Sequence, residues 1–226
     1  MQTNYAGHEA IYRKLKEKAG QPGWDSAAVM PRDLAILDSM FAWPTFPRPP
    51  GRLLELGCGA GNITIHLAQQ GWEVTGVDIA PTAVDWAREN ASASSVKASF
   101  AVDDVLTLKT CEDAAFDVVL DGHCLHCIIG GDRQRFHATA RRVLRPGGAL
   151  CVRTMCNEVP ASLASKFDKA TRCLMHDGIA SRYIGRANDL IGEVMAAGFD
   201  VQHLQVLPAH DADDLDELLL LARLAA

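Results

Sequence analysis

Between Leu120 and Gly130 the chain reads LDGHCLHCIIG, which places His123, Cys124, His126 and Cys127 within five residues. Three chemistries suit those residue types. A Cys-x-x-Cys pair can exchange disulfides through a thiolate. Thiols and imidazoles are soft ligands for a metal, or for a thiophilic substrate such as trivalent arsenic, and Cys156, Cys173 and His176 would extend that set. An imidazole on the floor of a pocket can take a proton near neutral pH. The segment alone leaves all three open, so the elements that position it must decide.

The chain has 226 residues, 48% hydrophobic and 22% charged, which suits one sizeable globular domain with room for an insertion. A formal net charge of −6 disfavours a nucleic-acid partner, because non-specific binding to phosphate backbones needs basic surface. No apolar run approaches a membrane span and no leader-like pattern opens the chain, so a cytoplasmic protein without a membrane partner is expected. Seven cysteines in a chain of this size read as free thiols in a reducing compartment.

The first fifty residues form an expected helical arm, with Ile11 and Leu15, then Leu34, Leu37 and Phe41, at helical spacing. The breaker GQPGWD divides the arm, and the Pro-rich WPTFPRPPG closes it. From residue 51 to 226 short apolar runs alternate with helical stretches: RLLEL, EVTGV, VKASFAV, FDVVLD and ALCVRTM are expected strands. Such alternation predicts an α/β fold, a doubly wound and mostly parallel sheet covered on both faces, with ligands bound beyond the carboxyl ends of the strands. Residues at about 157–186 are too many for a loop and are expected to form a small helical lid, with Cys173 and His176 on one helical face. The apolar close, DDLDELLLLARLAA, fits either a helix or a last strand.

The residues that follow the strands are informative. The first strand runs into ELGCGAGN, with Gly57, Gly59 and Gly61 after the acidic Glu55, a turn that lets a ligand approach the main chain. A dinucleotide fingerprint needs its third glycine at position 62, where this chain has Asn62, which disfavours an NAD-dependent enzyme. Asp78 follows the second strand, Asp104 the third and Asp121 the fourth.

In order and spacing these blocks resemble the class I S-adenosylmethionine-dependent methyltransferases, over roughly Leu53 to Leu150. The resemblance implies a seven-stranded Rossmann-like sheet and S-adenosylmethionine as cofactor. It implies that Glu55 and the loop Gly57, Cys58, Gly59 and Gly61 flank the methionine part. Asp78 would bind the ribose, with Ile79 on the adenine; Asp104 and Val105 would read the adenine edge, and Asp121 would lie near the amino group. By register GHCLHC then falls at the acceptor side, with His126 as first choice of base and His123 as second. The acceptor would be a small molecule, chosen by the arm and the lid, where Tyr5, Trp24, Cys156, Arg172, Arg182 and Tyr183 are the substrate candidates. No resident metal is expected. Two alternatives remain: a thiol or metalloid methyltransferase using the cysteines, and a non-catalytic S-adenosylmethionine-binding protein. Neither the acceptor atom nor the oligomeric state has a readable motif.

Overall fold

The computed structural model describes residues 3–225, so Met1 and Gln2 of the expected arm and Ala226 lie outside it. Two helices open the chain, α1 (Gly7–Lys16) and α2 (Met30–Phe41). Then β1 (Arg52–Leu56), α3 (Asn62–Gln69), β2 (Glu73–Asp78), α4 (Pro81–Ala93) and β3 (Ser99–Val102) alternate as the apolar periodicity requires. They are followed by β4 (Phe116–Gly122), α5 (Asp132–Val143) and β5 (Leu144–Cys156).

The main sheet has seven strands in the order β3-β2-β1-β4-β5-β10-β9, with β9 (Phe199–Leu207) and β10 (Asp216–Leu224) at the end of the chain. Strands β1 to β5 run parallel, and β10 is antiparallel to both of its neighbours. The ambiguous C-terminal run is therefore a strand. It slots between β5 and β9, where Leu218 and Leu220 face one core while Leu219 and Leu221 face the other. An unbroken apolar run is what a strand covered on both faces needs, and that is why it mimicked a helix. The same two-sided burial runs through β1, where Leu54 and Leu56 join the first core and Leu53 the second. The chain winds away in opposite directions from β1 and β4, which opens a crevice above their carboxyl ends.

The segment expected as a helical lid has another structure. After a short 3-10 turn (Ala161–Lys166) it forms a three-stranded antiparallel sheet of β6 (Phe167–Asp168), β7 (Cys173–His176) and β8 (Ile179–Tyr183). Asp177 and Gly178 both have positive φ, 49° and 77°, and link His176 to its partner Ile179. An Asp-Gly pair between apolar residues favours this two-residue hairpin turn, so local turn chemistry overrides helical propensity. Cys173 and His176 consequently share no helical face: Cys173 is buried and His176 is exposed. The last helix, α6 (Ala187–Ala196), leads into β9.

The N-terminal arm folds back over the crevice. Glu9 accepts hydrogen bonds from the Thr82 amide (3.0 Å) and hydroxyl (2.7 Å), which ties α1 to the start of α4. The Tyr5 hydroxyl donates to Asp132 at 3.0 Å and accepts from the Ile129 amide at 3.1 Å. Ile11, expected on the core face of α1, is instead exposed, and Tyr12 takes the buried position. On α2, Leu37 and Phe41 are buried as their spacing predicts, together with Met40. Truncating Leu220 to alanine at the centre of β10 is expected to lower the unfolding free energy by about 2–5 kcal/mol in chemical denaturation. A loss below about 1 kcal/mol would show that β10 is not a two-sided core strand.

Candidate functional site

A cavity of about 310 Å³ opens at the carboxyl ends of β1, β2, β4 and β5. One end is walled by Gly57, Cys58, Gly59, Asp78, Ile79, Asp104 and Val105, with His8 and Tyr12 from α1 closing it. The glycines fit a crowded backbone. Gly57 has φ +69°, and a Cβ there would lie 2.7 Å from the Cys124 Cβ. Gly59 has φ +53°, and its Cβ would lie 2.5 Å from the Tyr12 hydroxyl. Gly61 is set back at the N-cap of α3 and does not line the cavity.

Asp78 at the end of β2 accepts one amide on each oxygen, Gly59 N at 3.0 Å and Ala80 N at 2.9 Å. A carboxylate has about four lone-pair positions, so two remain for a ligand diol. The adjacent aspartates after β3 have separate tasks. Asp103 accepts from the Thr110 amide (2.7 Å), the Thr110 hydroxyl (2.6 Å) and the Asp104 amide (2.8 Å), which braces the loop. Asp104 caps the Leu106 amide at 2.9 Å and lines the cavity.

Glu55 is buried in β1, and its carboxyl group accepts a hydrogen bond from the Thr64 hydroxyl. Burial pushes its pKa up to about 8, and the nearby charges of Asp78 and Asp121 add to the rise. Asp121 is fully buried beneath the cavity rather than on its wall. Its Oδ1 accepts the amides of Cys124 (2.8 Å) and Leu125 (2.7 Å), while its Oδ2 is buried without a partner. Burial raises the Asp121 pKa to about 6 and raises that of Asp78 as well. Among the described residues no lysine or arginine forms an ion pair with any of the three. Three carboxyl groups thus sit at the ends of adjacent strands with no cation between them, and that arrangement suits a positively charged ligand.

GHCLHC forms the floor beside them. Asp121 holds the amides at its start, and Arg133 Nη1 on α5 donates to the carbonyls of Leu125 (2.8 Å) and Ile128 (3.0 Å) at its end. His123, Cys124, His126 and Cys127 all line the cavity. His123 has φ +78°, uncommon for a residue other than glycine, and its Nε2 lies 3.4 Å from Glu217 in a charge contact without hydrogen-bond alignment. His126 is buried, with Nδ1 unpartnered; burial holds its pKa well below the usual imidazole range, and the charges of His123 and Arg182 add to the effect. Burial raises the Cys124 thiol well above its usual range and Cys127 to about 11, so both stay protonated at neutral pH. A reactive redox pair needs the opposite shift. Among the described residues no three His, Cys, Asp or Glu come together as a metal site.

The far end of the cavity comes from the arm, the insertion and the last strands. Asp25, Arg32 and Asp33 line it, with Met155, Arg182, Asp214 and Glu217, while Trp24 packs on His8 and Tyr12 at the first end. Sequence reasoning found Tyr5, Trp24 and Arg182, which line the cavity, and missed the ion-paired group in which Asp33 and Glu217 of its wall are held by Arg153 behind them. Buried Arg153 donates to Glu217 at 2.6 and 3.0 Å and to Asp33 at 2.8 Å. Three expected substrate residues lie elsewhere because other groups use them. Cys156 is a buried core thiol opposite Asp216. Arg172 donates to the carbonyls of Ile184 and Asn157 and braces the insertion. Tyr183 lies under Arg133, whose guanidinium carbon is 4.4 Å from the ring centre.

With this geometry in place, comparison with known proteins is decisive for the central segment. Residues 53–148 match the family model described as a methyltransferase domain. This stretch is a methyltransferase domain. Over 113 residues the chain is 34% identical to a ubiquinone biosynthesis O-methyltransferase of Xanthomonas oryzae, covering 50% of this chain and 46% of the relative. It is 32% identical over 108 residues to norajmaline N-methyltransferase of Rauvolfia serpentina, covering 46% of this chain and 36% of that one. The chain therefore spans less than half the length of these curated relatives. The methyltransferase domain and its additions also share a fold with Burkholderia thailandensis 1,6-didemethyltoxoflavin-N1-methyltransferase, solved with that compound and S-adenosylhomocysteine. That match has a TM-score of 0.72 at 24% identity and covers 98% of this chain and 87% of the other. Among the described residues no helix is long and apolar enough to cross a membrane.

The raised carboxyl pKa values carry a sign for stability. Glu55 and Asp121 hold protons in the fold up to about pH 8 and about pH 6, and lose them near pH 4 when unfolded. Their contribution is complete below about pH 4 and is lost as pH rises through the folded values. Thermal melts of the free protein are therefore expected to show stability falling between pH 5 and about pH 8.5, with Glu55→Gln flattening the upper part of that fall. Equal slopes in the two proteins would refute the Glu55 assignment.

Proposed function

We propose that the protein transfers a methyl group from S-adenosylmethionine to a small-molecule acceptor. The observation that carries this reading is the set of three buried carboxyl groups without a cation beside a glycine loop, directly next to a histidine-lined floor. A sulfonium with an ammonium group meets that demand, whereas a dinucleotide phosphate would add negative charge to it. When bound, S-adenosylmethionine supplies an activated methyl group on a leaving sulfur that departs neutral.

The chain's own residues bind, orient and exclude water. Glu55, Gly57, Cys58 and Gly59 hold the methionine part, and Gly61 shapes the turn behind them. The two free lone-pair positions on Asp78 take the ribose hydroxyls. Ile79 and Val105 offer apolar surface to the adenine, and Asp104 accepts from its amino group. Asp121 acts through the floor that it holds. Methyl transfer is an in-line displacement, so alignment and a dry site supply most of the rate. Where the acceptor must lose a proton, His126 is the catalytic base, neutral at physiological pH, with His123 oriented by Glu217. A thiol or metalloid acceptor chemistry using Cys124 and Cys127 has less support, because both thiols stay protonated. The seven unpaired cysteines support a cytoplasmic setting.

Calorimetry should show S-adenosylhomocysteine binding to the wild type and NAD failing to bind, with Asp78→Ala weakening the former at least about tenfold through loss of charged hydrogen bonds. If NAD binds and the thioether does not, the proposal falls. Once an acceptor is known, His126→Asn is expected to lower kcat about 10²–10⁴-fold while leaving S-adenosylhomocysteine affinity within about twofold. Unchanged kcat would leave His126 a purely structural group.

A further inference from the structure

Of three guanidinium groups at the acceptor end of the cavity two are ion-paired, and the third indicates what this end binds. Arg153 is paired with Asp33 and Glu217, and Arg32 lies 3.5 Å from Asp214. Arg182, reaching in from β8 of the insertion, is different. Among the described residues it has no ion pair, and its Nε is buried without a hydrogen-bond partner. It lines the same cavity as His126 and Cys127, on a strand that packs against the turn carrying them. A half-buried guanidinium presents a planar fork of donors that fits a carboxylate, phenolate or enolate oxygen.

His126 adds a second, independent constraint. Its Nδ1 is buried, unpartnered and on the cavity wall. An imidazole kept neutral by its surroundings is a weak base. It cannot take a proton from an alkylammonium or a simple phenol, both of which titrate near 10 as lysine and tyrosine do, but it can take one from a more acidic O–H, such as that of an enol conjugated to a carbonyl group. Arg182 and the weak base thus select the same kind of molecule.

Resting on the methyltransferase reading above, we propose that the acceptor is a small acidic enol, whose O–H lies over His126 and whose oxygen, once ionised, is held against Arg182. The X–H proton passes to His126 Nδ1 and on to water. The lone pair of X⁻ forms the new bond to the methyl carbon, and the carbon–sulfur bond breaks with its electron pair left on sulfur. An anion and a sulfonium give two neutral products, a charge-cancelling step that a dry, low-dielectric cavity favours. Asp25, the unpaired carboxylate on this wall, belongs to a residue exposed overall, but burial of its carboxyl group raises its pKa and the charge of Asp33 adds to the rise, which favours its neutral form.

The test uses two probes of equal size and opposite charge, benzoate and benzylamine, titrated into the full-length protein saturated with S-adenosylhomocysteine. Benzoate is expected to bind and benzylamine to bind at least about tenfold more weakly. Arg182→Ala and Arg182→Gln are each expected to weaken benzoate about 10–100-fold, the range for a lost charged hydrogen bond, with S-adenosylhomocysteine affinity kept within about twofold. Because Arg182 has no described structural partner, both variants should fold, and the glutamine variant preserves most of the side-chain volume. Benzylamine binding as tightly as benzoate, benzoate binding unaffected by both variants, or no binding of either probe would each overturn the proposal. Failure of S-adenosylhomocysteine to bind at all would instead remove the methyltransferase reading, and benzoate titrated into the free protein would still judge Arg182.

Discussion

Three carboxyl groups buried at the ends of neighbouring parallel strands are the constraint around which this structure is arranged. Glu55, Asp78 and Asp121 close β1, β2 and β4, and no described lysine or arginine neutralises them. Burying ionised carboxylates without cations costs several kcal/mol each, so the fold keeps part of the set protonated or saturates it with amide and hydroxyl donors. The Thr64 hydroxyl serves Glu55, the Gly59 and Ala80 amides serve Asp78, and the Cys124 and Leu125 amides serve Asp121. Each donor lies in a loop or helix start that must take a particular shape to reach its carboxylate. The acids therefore shape the loops that form the cavity, and the stability they withhold is available to a cationic ligand.

The rest of the chain completes what the central segment leaves open. Residues 53–148 supply the strands, the glycine loop and the histidine floor. The rest of the cavity wall comes largely from outside that segment: the arm through Asp25, Arg32 and Asp33, the insertion through Arg182, and the C-terminal part through Asp214 before β10 and Glu217 on it. This division has a physical logic. The cofactor end must fit one molecule, so its geometry follows from the sheet and its tight turns. The opposite wall draws on the arm, the insertion and strands β5 and β10, and its charges are set by pairs that join separate parts of the chain.

That division also governs how much the sequence revealed. The sheet, the glycine turn and Asp78 were legible because they depend on local periodicity and on residues that follow strands directly, whereas the adjacent Asp103 and Asp104 are told apart by their partners in the fold. The hairpin at Asp177 and Gly178 was equally local, and its turn signal was outweighed by the length of the insertion. Arg153, Asp33 and Glu217 were not legible, because they meet only when β10 pairs antiparallel with β5 and α2 packs over both. Residue type alone also misled. Arg172, Tyr183 and Cys156 have the same chemistry as residues that line the cavity, but Arg172 is consumed by carbonyls, Tyr183 by a guanidinium and Cys156 by the core. Whether an arginine is free to meet a ligand is a property of its partners, and only the fold supplies those.

The histidine floor shows how such partners fix a site before any ligand arrives. His123 has a left-handed backbone, which costs a non-glycine residue of order 1–3 kcal/mol, and such a conformation persists only where its surroundings over-determine it. Here they do. Its amide donates to the Arg153 carbonyl, its ring lies against Glu217, and the next two amides are taken by Asp121. Downstream, Arg133 takes the carbonyls on either side of His126 and Cys127 while its own charge is satisfied by Glu193. The floor is thus clamped at both ends by buried charges that face away from the cavity. His126 presents an unpartnered nitrogen on the cavity wall from a backbone held in place on both sides.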